Sequence, residues 1–211
     1  MRGDSRARGE ALPPEGAREE TVAMPQPLRY AINVTLDGCC SHEEGLPPDE
    51  ESMAFWSDEL RRSDTLLYGR VTYKLMQGAW RRPESGQWPD WMGASEVAIS
   101  EVTDPMRKVV ASATLDEVDW NAELLDGEVV NAVRRLKERP GRGISLGGVR
   151  LPAALAAAGL IDEYTFVVHP VVAGRGPRLL EGIGEQLKLH LFERREFGSG
   201  ATVQRYRHPI A

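Results

Sequence analysis

The 211-residue sequence has only two cysteines, Cys39 and Cys40. Adjacent thiols cannot staple distant segments, and no C-x-x-C or Cys/His cluster accompanies them, so neither a disulfide framework nor a zinc site is expected. Long apolar runs are missing as well. Nothing approaches the ~18 residues of a membrane span, and no signal-type apolar core follows the N-terminal charges. There is no basic surplus: 26 Lys and Arg against 32 Asp and Glu leave a net charge of −6. That balance argues against a bulk electrostatic grip on nucleic acid or an anionic membrane. The expectation is a cytoplasmic protein whose partner is a small molecule. What is present, 41% hydrophobic and 27% charged residues, suits one globular domain.

Residues 1–27 contain no aromatic side chain, alternate their charges and carry Pro13, Pro14, Pro25 and Pro27. Such a stretch buries too little apolar surface to offset its ordering entropy, so it is expected to be a disordered tail. The domain is expected over residues 28–211, where the punctuation becomes regular. Strands are predicted at Arg29–Thr35, Asp64–Tyr68, Lys108–Ser112, Ile144–Leu146 and Glu163–His169. Helices are predicted from Asp49 to about Arg62, over Val71–Gln77, from Asp126 to Arg139, and over Leu151–Ala158. The stretch from Gly78 to Met92, with Trp80, Trp88 and Trp91, reads as a long ordered loop. Around Gly198-Ser199-Gly200 the alternation predicts a closing hairpin. Strands alternating with helices imply an α/β fold, its central sheet mostly parallel and flanked by helices, with an antiparallel hairpin at the C-terminus.

Two strand-to-helix junctions carry the chemistry. In Tyr68-Gly69-Arg70-Val71-Thr72 and Leu146-Gly147-Gly148-Val149-Arg150 a buried strand ends in glycine and opens at once into a helix. The first N–H groups of such a helix are free, its dipole is positive at that end, and glycine lets a ligand approach closely. Two junctions of this kind can hold a dinucleotide diphosphate between them. On pattern alone, a glycine that simply turns the chain sharply is the first reading.

From Tyr30 to about Gly182 the sequence resembles the dihydrofolate reductase superfamily. It is most similar to the reductase domain of the bifunctional riboflavin-biosynthesis deaminase-reductase. The resemblance rests on Asn33-Val34-Thr35-Leu36-Asp37-Gly38, the block Asp64 to Tyr73, the block Lys108 to Leu115, Gly147-Gly148, Gly159 to Glu163, and Pro170 to Gly176, in family order. It implies a dihydrofolate reductase-like fold, a homodimer and an NADPH-dependent reductase. Gly69, Arg70 and Thr72 match one grip on the cofactor phosphates, and Gly147, Gly148, Val149 and Arg150 the other. Ser112 matches a residue beside the adenosine 2′-phosphate. Ala113 follows where many relatives place a basic or hydroxyl residue, which leaves NADH open.

On the substrate side the resemblance points to the first strand's loop and the next helix. Asp37 is the first candidate catalytic acid, with a plain Asp-Gly turn as the equal alternative. Glu51, beside Glu50, is the second; helix-dipole complementarity is the first reading for at least one of these two acids. Phe55 and Trp56 are candidates to sandwich a flat ring. His42 and His169 receive no catalytic assignment. The bifunctional relatives carry a deaminase with H-x-E and P-C-x-x-C zinc ligands. The combined pattern does not occur here, because P-C-x-x-C is absent, so a stand-alone reductase is the expectation, acting on a pterin or aminopyrimidine. A dinucleotide-binding module without turnover is the alternative.

Overall fold

The computed structural model describes residues 25–209; the segment expected to form the tail lies outside it up to residue 24. The boundary at Pro27 needs correcting. Gln26 is buried, its N–H donates to the Lys137 carbonyl at 2.8 Å and its Nε2 to the Leu136 carbonyl at 2.9 Å. Pro27 accepts from Ile144 N–H at 2.8 Å. Both residues belong to the folded body.

Thirteen elements follow in order: β1 (Leu28–Thr35), α1 (Glu50–Arg61), β2 (Thr65–Gly69), α2 (Arg70–Trp80), α3 (Ala94–Thr103), β3 (Arg107–Ala111), β4 (Ala122–Leu124), α4 (Val129–Lys137), β5 (Ile144–Leu146), α5 (Arg150–Ala157), β6 (Glu163–His169), β7 (His190–Glu196) and β8 (Thr202–Arg207). They build one eight-stranded sheet in the order β4-β3-β2-β5-β1-β6-β8-β7. The first six strands in that order are parallel, and β8 and β7 close the edge antiparallel, as the alternation predicts.

Strand alternation sends side chains to two cores. Tyr30, Leu67, Val109, Leu146, Tyr164 and Phe166 meet Val133 and Leu136 of α4 and Leu155 and Ala156 of α5. On the other face Leu66, Tyr68 and Val110 pack with Tyr73 of α2 and Trp120, while Val167 and Val203 pack with Phe55 of α1. Asp49 caps α1 as expected, accepting from Ser52 N–H at 2.7 Å. For α4 the cap is Glu128, two residues after the expected Asp126, accepting from Val130 and Asn131 N–H.

Two elements escape the sequence reading. Helix α3 is short, weakly amphipathic and rich in β-branched residues; its start signal is Glu96 accepting from Gly93 N–H at 3.0 Å. Strand β4 has three residues, and what aims it is the left-handed backbone of Trp120 (φ 59°) and Asn121 (φ 53°). Neither is a glycine, so no turn signal marks the spot.

The connections place the ligand crevice. After β2 the chain moves outward to β3, and after β5 it moves the opposite way to β6. Adjacent parallel strands whose connections diverge leave a gap at their carboxyl ends. That gap lies between Gly69 and Gly147.

Candidate functional site

The two glycine junctions are brought together. Leu67 pairs with Leu146, so Gly69 and Gly148 end neighbouring strands. The helix starts interlock: a Cβ on Gly148 would lie 2.4 Å from Thr72 Oγ1 in the first turn of α2, and one on Gly69 would lie 4.0 Å from the Leu151 Cβ in the first turn of α5. Gly148 also has φ +98°, a conformation that side chains rarely adopt. Its carbonyl accepts from the Tyr30 hydroxyl at 3.1 Å, which ties the loop to β1.

These two helices begin unlike the others. Helices α1, α3 and α4 have acidic side chains on their first N–H groups. Helices α2 and α5 have no capping side chain and no acid in the first turn; each begins with an arginine, Arg70 or Arg150. A cation there opposes the helix dipole. Both arginines are exposed and make no hydrogen bond or ion pair among the described residues. Open N–H groups and two guanidinium groups at one crevice form a site for a polyanion. Val149 is the residue before α5, and Ser112 follows β3, whose Ala111 pairs with Gly69. Ser112 Oγ accepts from Thr114 and Leu115 N–H and keeps its own O–H to donate. All eight expected cofactor residues thus lie along one sheet edge, and they suit a dinucleotide diphosphate.

The expected catalytic and substrate residues are placed differently. Asp37 accepts from Thr35 Oγ1 at 2.6 Å, Ala173 N–H at 3.0 Å, Gly174 N–H at 2.9 Å and Arg178 Nη1 at 3.1 Å. The Thr35 hydroxyl and these amides hold its carboxyl well below the usual carboxylate range. It braces the 170–178 loop and is no proton donor. Glu51 is committed in the same way: Gly198 N–H at 2.8 Å and Arg195 at 2.7 Å hold it and lower its pKa, fastening α1 to the β7–β8 turn. Phe55 is buried against Val167, Phe197 and Val203, with Trp56 edge-on at 5.5 Å. Phe55 is core and Trp56 is half-buried beside it, so the two rings meet edge-on rather than as a parallel pair. Trp80 ends α2, one helix length of about 15 Å from Gly69, where it meets Trp91 edge-on at 6.4 Å.

What the structure adds is a slot in the sheet. On the face opposite Tyr30 and Leu146, strands β1 and β5 present Ala31, Asn33, Ser145 and Gly147. None of the four is buried, and Asn33 is exposed. Central strands are ordinarily covered on both faces; a Cβ on Gly147 would meet the Tyr68 ring at 3.0 Å, so Tyr68 covers the glycine end and the slot opens toward Asn33. A polar residue at a core-parity position of a central strand is the sequence signal that would have found it.

Comparison with known proteins agrees with this architecture. The RibD C-terminal domain family matches residues 27–203. The uncharacterized protein YyaP of Bacillus subtilis (strain 168) is 32% identical over 178 residues, covering 81% of this chain and 89% of its own. Among solved structures, a protein from Shewanella sp. PV-4 provisionally named for riboflavin biosynthesis superposes with a TM-score of 0.66 at 18% identity, covering 87% of this chain and 99% of its own. A pyrimidine reductase-like protein from Corynebacterium diphtheriae gives 0.60 at 13% identity, covering 88% and 93%. The Thermotoga maritima diaminohydroxyphosphoribosylaminopyrimidine deaminase/5-amino-6-(5-phosphoribosylamino)uracil reductase gives 0.61 at 18% identity, with 88% of this chain on 57% of that one. With the ordered motifs, the parallel sheet and the paired glycine junctions in place, the match over most of its length makes this chain a member of the RibD C-terminal domain family, the reductase-domain relatives of the riboflavin enzymes.

Proposed function

We propose that this protein is a reductase that passes hydride from NADPH to a small N-heterocyclic substrate of pterin or aminopyrimidine type, such as 5-amino-6-(5-phosphoribosylamino)uracil. The observation that carries the reading is the pair of uncapped, arginine-led helix starts facing one crevice. A reduced nicotinamide dinucleotide, when bound, supplies the hydride. Gly69, Arg70 and Thr72 hold its phosphates from one side, and Gly147, Gly148, Val149 and Arg150 from the other. Ser112 donates toward the adenosine end. Ala113 adds no charge there, so NADH remains a competing donor. Asp37 and Glu51 have their oxygens engaged elsewhere, which leaves protonation of the substrate to solvent entering the slot. That same engagement supports a second reading, a dinucleotide-binding module without turnover.

A panel assay separates the two. NADPH and NADH oxidation is followed against dihydrofolate, pterins and phosphoribosylated aminopyrimidines. Turnover of any of them establishes the reductase. Dinucleotide binding with no turnover across the panel favours the module.

A further inference from the structure

Asn33 has an unusual position. It sits on β1 three residues past the last pairing with β5, beside β6 alone; its side chain is exposed, while its partner in β6, Val167, is fully buried. Its amide is also held in one orientation. His169, at the end of β6, accepts from Leu46 N–H at its Nδ1 at 3.1 Å. A neutral imidazole with Nδ1 accepting carries its proton on Nε2. That Nε2 lies 3.1 Å from Asn33 Oδ1. The proton therefore points at the amide oxygen, and the amide nitrogen is the end left over. No hydrogen bond engages Nδ2 among the described residues. The ring of His169 is buried beneath Gly45, where an added Cβ would touch it at 3.4 Å, and burial lowers its pKa, which favours this neutral form.

We propose that Asn33 is the ring-recognition residue of the slot, donating its two Nδ2 protons to a carbonyl oxygen or ring nitrogen of the substrate, with His169 as its positioning residue. The assignment rests on the reductase reading and narrows the substrate: it presents an uncharged hydrogen-bond acceptor at the ring edge beside Ala31. A phosphate is the poorer match, because Ala31, Ser145 and Gly147 beside Asn33 bring no cation. An amide built to donate to a ring rejects analogues lacking the acceptor, which a purely apolar floor cannot do.

The test uses the full chain, with dihydrofolate and 5-amino-6-(5-phosphoribosylamino)uracil as probes. Dissociation constants and KM are measured for the wild type, Asn33→Ala and Asn33→Asp. Asn33→Asp keeps the shape but has no N–H. Both variants are expected to weaken the better probe by about tenfold or more, the usual effect of leaving one such group unpaired, with NADPH affinity and thermal midpoint unchanged. His169→Gln, which still donates to Asn33, is expected to retain the probe affinity that His169→Leu loses. Asn33 variants within twofold of a wild type that binds the probes overturn this assignment and leave the reductase reading standing. A wild type that binds NADPH but neither probe also overturns the assignment alone. A wild type that binds neither NADPH nor probes overturns both.

Discussion

Burial leaves the Lys108 ammonium with little besides the Asp104 carbonyl, to which it donates at 2.6 Å, and the face of Trp120, 3.9 Å from its centroid. Desolvation pushes its pKa down to about 8. Below pH 8 the amine is charged in both folded and unfolded chains, and the folded state bears the full desolvation cost. Between about 8 and about 10 the unfolded chain still holds a proton that the folded one has released, so this residue's contribution to stability rises with pH. Denaturant unfolding of the wild type and Lys108→Met across that range is expected to show the wild type gaining on the variant; a constant difference would contradict the assignment. The residue scale is also where the sequence misleads most. Asp37 and Glu51 have the residue type and neighbourhood of catalytic acids. Their real partners, the amides of Ala173, Gly174 and Gly198, are more than a hundred positions away. No local pattern announces such a partner, and an acid whose carboxylate already accepts several hydrogen bonds carries no proton to donate near neutral pH. Glu59 makes the same point: it is buried between Arg62, its i+3 neighbour, at 2.8 Å and Arg205 at 2.6 Å, and the second pairing is legible only once β8 lies beside α1.

Elements were easier to read where glycine and apolar runs coincide. Strand β2 and helix α2 meet at Gly69, and β5 and α5 at Gly147-Gly148, within a residue or two of the expected positions. Their opposition across one crevice follows from sheet order, which the motifs implied only through family resemblance. The interlock of Gly148 with Thr72 carries its own consequence. Gly148→Ala places a Cβ at φ +98° and against the Thr72 hydroxyl, and is expected to cost about 1–3 kcal/mol of stability from the backbone alone. Adding Thr72→Ala should recover part of that loss in thermal unfolding. An unchanged midpoint for Gly148→Ala would mean that the junction is not packed as described. Helix α3 and strand β4 were missed for opposite reasons. The first has a weak apolar face, and the second is aimed by two non-glycine residues in left-handed conformation.

At the scale of the whole molecule, the fold is an open sheet whose carboxyl edge gathers the two uncapped, arginine-led helix starts, while the amino edge holds ion pairs such as Arg62–Glu163. No helix among the described residues is long and apolar enough to cross a membrane. The sheet leaves Asn33 of β1 exposed on the face that also carries the half-buried Ala31 and Ser145, at the same carboxyl edge as the uncapped starts of α2 and α5. A polyanion with a flat ring attached is the ligand shape that uses both regions together. The most direct measurement is a titration of the purified chain with NADPH, read by nicotinamide fluorescence and thermal midpoint, repeated for Arg70→Ala and Arg150→Ala. Saturable binding with a raised midpoint is the predicted result, and each substitution should weaken it by about tenfold, the worth of one charge-assisted contact. Absence of binding, or equal affinity in all three proteins, would contradict a dinucleotide held between these two helix starts.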